Sequence, residues 1–310
     1  MVPYGGTVPD RSPFALAALA CAAVRGLEPA AAAARVSHDP EVDAADVEDD
    51  LGRRWVVRVP RSATAAARLD AEGRLVSGLA GYLPFAVPQI AGTTPLPDGT
   101  AAVVTRHLAG APVEPSALEP GPGLAAALGR SVAAIHDLPE RVVEEAGLPM
   151  YTAEEYRQRR LAEVDRAAAT GHVPAGLLAR WEKAIEEAGA WRFRPCVVHG
   201  DLASETVLTE HSDVVGVLEW GEARIADPAD DLAWVLAAAD EDAAESVLEA
   251  YAHTRRSPVD ADLPRRARLA SELACARWLL HGVTADDAEV VEDAVAMLED
   301  LDAAVDGRPW

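Results

Sequence analysis

The chain has 310 residues, half of them apolar, which is enough to bury a full core and suits about two domains at ~150 residues each. A formal charge of −23 repels phosphate backbones, so nucleic acid is not expected as a partner, and a small cationic molecule is. Cys21, Cys196 and Cys275 lack CxxC spacing and so indicate neither a disulfide framework nor a zinc site; with no signal-like start and an apolar run at 13–24 too short to cross a bilayer, a cytoplasmic protein without a membrane partner is expected.

After a Gly- and Pro-rich start expected to be flexible, residues 13–26 read as an alanine-rich helix and RRWVVRVP (53–60) as a strand ended by Pro60. Segment 65–83 spaces Ala67, Leu69, Leu75, Leu79 and Leu83 along one helical face, with Glu72 and Arg74 among them. Short strands are expected at 86–90 and 101–106, separated by the turn-rich TTPLPDGT. The proline-rich GAPVEPSALEPGPG (110–123) follows the lobe boundary, which divides the chain into an N-lobe (1–108) and a C-lobe (109–310). Helices at 124–136, 153–170 and 175–190 precede three strand-like pieces, VVH, VLTE and VVGVLEW, and 230–302 is helical with a break marked by Pro258 and Pro264. Of the 28 basic residues only Lys183 is lysine, so any phosphate contact in the first half comes from arginine or backbone N–H groups.

Chemistry concentrates in VVHGDLASETVLTEHSDVVGVLEWGEARIADPADDLAW (197–234). Phosphoryl transfer to a hydroxyl needs an aspartate to orient or receive the proton and oxygen ligands to hold magnesium against nucleotide phosphates. Asp201 follows a short apolar strand, Thr206 comes five residues later, and Glu219 thirteen after that, a spacing that fits the kinase template. Several of these residues also have plainer readings: Arg58 as an arginine alternating outward on its strand, Glu72 as a helix-face charge, Asp227 before Pro228 as a helix cap, and His136 as a structural histidine at a helix end.

These blocks, together with RWVVRVPRS (54–62), AEGRLV (71–76) and LPFAVP (83–88), resemble the aminoglycoside phosphotransferase superfamily, most closely the macrolide phosphotransferases; VVGVLEWGEARIADPADDLA (214–233) is similar to their GVIDWxEARxxDPxxDxA block. The resemblance runs from about Trp55 to Ala233. It implies an α+β, protein-kinase-like two-lobed fold, with a small mixed N-lobe and a large, mainly helical C-lobe, and a phosphotransferase that moves the γ-phosphate of GTP or ATP to a hydroxyl of a macrolide- or aminoglycoside-like acceptor. Asp201 would be the catalytic base and His199 the brace of its loop. Arg58, with Glu72 as partner, would contact nucleotide phosphates, and Arg106 and His107 would lie in the nucleotide-binding hinge at 105–108. Glu219 and Thr206 would hold Mg2+, and Asp227 and Asp231 would support the site from below.

The sequence departs from that pattern at Thr206, where the family has Asn or His, at Glu219, where it has Asp, and at Ala203-Ser204-Glu205, where it has HPG. Glu205 adds a carboxylate beside Thr206. The phosphate-covering hairpin is expected at 42–55, with five acidic residues and one glycine. The departures leave a second reading, a degenerate kinase fold that binds a ligand or partner without catalysis.

Overall fold

Ser12 accepts the Ala15 N–H and Pro13 opens the first turn of helix α1 (Pro13–Ala23), where a missing N–H costs nothing. The computed structural model describes residues 11–37 and 39–305, so the start expected to be flexible lies, up to Asp10, outside the described residues. Helix α1 covers a five-stranded antiparallel sheet made of β1 (Pro29–Arg35), β2 (Val42–Asp49), β3 (Arg54–Pro60), β4 (Ile90–Pro95) and β5 (Ala101–Arg106), in the order β1-β2-β3-β5-β4. Leu16 and Ala20 of the helix pack on Val47, Trp55, Val57 and Val104 of the sheet.

One of these strands was not expected from the sequence and another differs from the expectation. PAAAAAR has the composition of a helix, yet it is an edge strand because the ladder to β2 fixes it from Pro29 to Arg35. The acidic stretch expected as a phosphate-covering loop is β2 itself, paired with β3 in the register Ala45↔Val57. Three of its four carboxylates are paired within the lobe: buried Asp43 binds Arg11 (2.8 Å) and Arg61 (2.6 Å), Asp46 binds Arg35 (3.0 Å), and buried Asp49 binds Arg53 (2.6 Å) and the Trp55 indole N–H (3.0 Å). The hairpin turn that reaches the cleft is instead the link between β1 and β2.

Helix α2 (Ala63–Gly78), capped by Ser62, stops short of Leu83. It buries Ala65, Leu69, Glu72, Leu75 and Val76, while Ala67 is exposed, so the buried face lies off the one expected from leucine spacing. The strand expected at 86–90 is shifted to Ile90–Pro95. Ala86 makes only an isolated bridge to Gly216, and Thr93 to Pro95 lie within β4 rather than in a turn. Gly92 explains the placement, because a Cβ there would stand 2.1 Å from the Ala23 carbonyl oxygen where β4 meets α1.

Beyond Arg106 the chain enters the helical lobe through β6 (Ala111–Pro112), then α3 (Leu124–His136), α4 (Arg141–Ala146), α5 (Ala153–Ala169) and α6 (Ala175–Glu186). Strands β7 (Cys196–Val198), β8 (Val207–Glu210), β9 (Asp213–Val217) and β10 (Arg224–Ala226) carry the motif segment, and α7 (Ala233–Ala238), α8 (Glu241–Thr254), α9 (Leu263–Ala285) and α10 (Ala288–Val305) complete the lobe. Helices α4 and α7 are short, with too few turns to leave a periodic signal. Helix α6 ends four residues before the expected 190, at a 3-10 turn.

Two cores fill this lobe, one around α3, α8 and Trp220, the other around α5, α6, α9 and Trp181. Leu75, Val76 and Leu79 at the end of α2, with Phe85 and Val87 after it, belong to the first of these. Arg74 also donates to the Ala146 carbonyl at 2.9 Å. The lobes are therefore joined by packing as well as by the hinge. No helix among the described residues is long and apolar enough to cross a membrane.

Candidate active site

Buried β7 delivers His199, Gly200 and Asp201 to the floor of the interlobe cleft. Gly200 has φ +85°, and a Cβ there would lie 2.4 Å from the Glu222 carbonyl oxygen, so only glycine fits this turn. Asp231, fully buried, accepts the backbone N–H of His199 at 2.7 Å and of Gly200 at 2.8 Å. Its Oδ2 also meets His136 Nε2 at 3.1 Å, and His136 Nδ1 meets the Tyr251 hydroxyl at 2.8 Å. Burial opposes the charge of Asp231, but the hydrogen bond and charge of His136 and the Gly200 N–H hold its carboxyl below the ordinary aspartate range.

His199 braces the loop in a second direction. The Asp201 N–H donates to Nδ1 (3.3 Å), which leaves Nε2 to carry the proton and donate to the Leu218 carbonyl at 2.7 Å. The ring meets Trp220 edge-on at 4.8 Å. Residues 199–201 are thereby fastened to 218–220, the segment that presents Glu219.

Glu219 leaves β9 with φ +59° and ψ +59°, a left-handed backbone conformation that costs about 1–3 kcal/mol for a residue other than glycine. That strain aims its carboxylate at Arg58, 3.7 Å away. Arg58 reaches across from β3 and gives both oxygens of buried Glu72 a hydrogen bond, at 2.8 and 3.0 Å. Burial would lower the pKa of this guanidinium, but Glu72 first and Glu219 second raise it, so it stays charged. The outward reading of Arg58 thus gives way to an inward one.

Two cavities meet at this trio, since Arg58, Glu72 and Glu219 line both. The smaller, about 230 Å3, opens on the hinge residues Thr105, Arg106, His107 and Leu108, with Val56, Leu208 and Leu218 as its apolar walls. Arg106 lies over the Trp55 ring at 5.2 Å, and the His107 N–H donates to Arg54 O at 3.0 Å. Burial first, then the charge of Arg54, lowers the pKa of His107 and favours the neutral imidazole. The larger cavity, about 660 Å3, holds Asp201 on its floor and the β1–β2 link (Ser37, Asp39, Glu41) on its upper lip.

Thr206 sits elsewhere than its expected metal role requires. It is 2% exposed and lines neither cavity; its hydroxyl accepts the Ala203 N–H at 2.9 Å and donates to the Ala203 carbonyl at 3.1 Å, closing the 203–206 turn. Glu205, carried by that turn, lines the smaller cavity together with Glu219. Among the described residues no group of three or more His, Cys, Asp or Glu side chains is placed to hold a metal by itself. Magnesium on a nucleotide needs only one or two carboxylates, the rest of its octahedron being phosphates and water, and the oxygen donors of Glu219 and Glu205 fit that requirement.

Asp227 lies below the site. It accepts the Ala229 N–H at 3.0 Å, as a cap would, and also binds Arg266 at 2.7 and 3.1 Å; Arg266 in turn holds Asp260 and the Ala190 carbonyl.

A network that the motifs did not suggest stands on the far wall. Asp230 binds Arg160 (2.6 Å), Arg224 (2.7 Å) and the Tyr156 hydroxyl, and Arg160 also binds Glu163 (2.7 Å). Burial would raise the pKa of Asp230, but Arg160 and Arg224 depress it well below the carboxylate range. The available signal was the spacing of Tyr156, Arg160 and Glu163 on one face of α5.

Comparison with known proteins gives the family. The family model APH, described as "Phosphotransferase enzyme family", matches residues 33–270. Viomycin phosphotransferase of Streptomyces vinaceus is 34% identical over 218 residues, which cover 64% of this chain and 72% of that one. The uncharacterized protein YcbJ of Bacillus subtilis (strain 168) is 27% identical over 197 residues, 59% of this chain, and the match spans 63% of its own length. Among solved structures, macrolide 2'-phosphotransferase MphH from Brachybacterium faecium, as apoenzyme, superposes with a TM-score of 0.77 at 25% identity, covering 92% of this chain and 97% of that one.

Proposed function

The chain belongs to the phosphotransferase enzyme family, and from that premise we propose that it transfers the γ-phosphate of GTP or ATP to a hydroxyl of a small antibiotic-like molecule. The observation that supports this most is the meeting of the two cavities at Arg58, Glu72 and Glu219, with Asp201 on the floor of the larger. A base fits the hinge cavity against the backbone of 105–108, flanked by Arg106 and His107, and the phosphates extend toward Arg58, which Glu72 keeps oriented. Magnesium, held by Glu219 with Glu205 beside it, would supply charge neutralisation on those phosphates. Thr206 enters through the turn that carries Glu205.

At the reacting end, Asp201 receives the proton of the acceptor hydroxyl while its oxygen bonds to the γ-phosphorus. The bond from that phosphorus to the β–γ bridging oxygen breaks, and the nucleoside diphosphate leaves. His199 and Asp231 act by holding the Asp201 backbone. Macrolides, aminoglycosides and viomycin are the first acceptors to offer. Because nucleoside triphosphates are its co-substrate, we place the activity in the cytoplasm.

The test is thermal unfolding with GTP and with ATP, each with and without Mg2+. Nucleotide at ~100 times its Kd adds ~2.7 kcal/mol of stability, which is a rise of several degrees for a chain of this size, and that rise will require the metal. Absence of any shift would overturn the proposal. A shift without phosphate transfer to any acceptor would favour the degenerate binding protein. Glu219→Ala will keep the metal-independent part of the shift and lose the magnesium-dependent part; an unchanged magnesium requirement in that variant places the metal on other residues.

A further inference from the structure

The net charge of −23 suggests a cationic acceptor, but the wall the acceptor would touch has a different composition. On the helical-lobe side of the larger cavity stand five arginines, Arg159, Arg160, Arg166, Arg224 and Arg277. Apart from Asp201 and Glu219, that side carries three carboxylates, Glu163, Asp230 and Glu222.

Their pairing decides what remains for a ligand. Asp230 and Glu163 have side chains only 6% and 7% exposed and are consumed by Arg160 and Arg224. That buried group is close to internally neutral and acts as a foundation. Above it, α5 sets Arg159 and Arg166 seven residues apart, two turns along the face that also carries Tyr156 and Glu163, and both arginines are exposed. The guanidinium of Arg159 lies over the Tyr151 ring at 5.5 Å and its Nη1 meets the Tyr151 hydroxyl at 3.4 Å, a contact that pairs it with no carboxylate. Helix α9 adds Arg277, whose side chain is 41% exposed and reaches Glu163 at 3.2 Å. Cationic acceptors would meet like charge here, which costs affinity. A planar guanidinium fork matches a carboxylate or phosphate and binds it through paired, charge-assisted hydrogen bonds.

We propose that the acceptor carries an oxyanion group, a carboxylate or a phosphate, which Arg159, Arg166 and Arg277 hold while its hydroxyl faces Asp201. This rests on the phosphotransferase reading, since it assigns the acceptor side of that same site. Bond making and breaking are unchanged, because the oxyanion is a handle and takes no part in the transfer. Selectivity then comes from contact on the wall, and the acidic surface outside the cavity acts only at long range, where salt screens it within about 10 Å.

The experiment uses the full chain and matched pairs of probes that differ in one group: glycerate against glycerol, glucose 6-phosphate against glucose, with kanamycin and erythromycin as cationic members. Binding is read by calorimetry in the presence of nucleotide and Mg2+, and transfer by labelled γ-phosphate. The anionic member of at least one pair will bind about tenfold tighter than its neutral counterpart, the size of one charge-assisted contact. Which pair shows the preference separates carboxylate from phosphate. Arg159→Gln with Arg166→Gln, both exposed and safe for folding, will remove that preference and raise the acceptor KM while the nucleotide KM stays put. Arg277→Gln is the second, independent variant.

Equal binding within both pairs overturns the inference, whether or not phosphate is transferred. So does tighter binding of the cationic members, or a change confined to the nucleotide KM. Anion-selective binding with no transfer to any acceptor overturns the phosphotransferase reading instead and leaves the oxyanion site standing.

Discussion

Asp201→Asn will lower kcat by a factor of about 10²–10⁴, the usual contribution of a positioned general base, and will leave nucleotide affinity and the unfolding midpoint near those of the parent. The substitution is close to isosteric and keeps a carbonyl oxygen to orient the hydroxyl, but it removes the basic lone pair. The loop itself is held by bonds that the change does not touch: Asp231 grips the backbone of His199 and Gly200, and the Asp201 N–H, not its side chain, meets His199 Nδ1. The loss is therefore expected in kcat with KM for the nucleotide unmoved. Steady-state kinetics on the first accepted substrate, beside a thermal melt with GTP and with ATP, reads both halves. A variant that retains more than about a tenth of the parent rate would remove Asp201 from the proton transfer and shift attention to another oxygen on the cleft floor.

Much of this site was legible because its motif residues are close in sequence. His199, Asp201, Thr206, Glu219, Asp227 and Asp231 fall within 33 positions, and the structure sets His199, Asp201, Glu219 and Asp231 around one loop, with Asp227 beneath it. What was not legible depends on pairing across distance. A carboxylate run such as 43–50 looks like an exposed loop until the strand register places Asp43 between Arg11 and Arg61 and Asp49 under Trp55. A run of alanines looks helical until a neighbouring strand satisfies its backbone.

Thr206 shows the same limit at the level of one hydroxyl. Spacing puts it five residues after Asp201, but whether its oxygen faces a metal or its own turn is decided by the backbone of Ala203. The arginine wall escaped for a further reason: net charge is a sum over the whole surface, and it says nothing about how charge is divided between the two sides of one cavity. Helical spacing on α5 carried that information, and only the position of α9 opposite gave it meaning.

Asp231→Ala will destabilise the chain by about 3–5 kcal/mol, the range for breaking a buried charged network, which corresponds to a fall in midpoint on the order of 10 °C. Three partners lose their acceptor together: the N–H groups of His199 and Gly200 and the ring of His136, in a site where Asp231 and His199 are fully buried. An unpaired donor in such surroundings costs about 1–3 kcal/mol each. Asp231→Asn is the milder companion. Its amide nitrogen cannot accept, so one of the two loop N–H groups is orphaned, and the Asp201 backbone moves with it; kcat will fall in this variant even where it remains folded.

The pH dependence provides a second axis for the same residue. A folded-state pKa below the unfolded value of about 3.9 means that Asp231 contributes its stability fully above that pH. The contribution is lost as pH falls through the lower, folded value, when the protonated carboxyl no longer accepts from both N–H groups. Melts between neutral pH and about pH 3 will therefore show a steeper acid limb in the parent than in Asp231→Asn. Parallel limbs, or an Ala variant with an unchanged midpoint, would mean that the 199–201 loop is held by the His199 to Leu218 bond and the Trp220 contact alone.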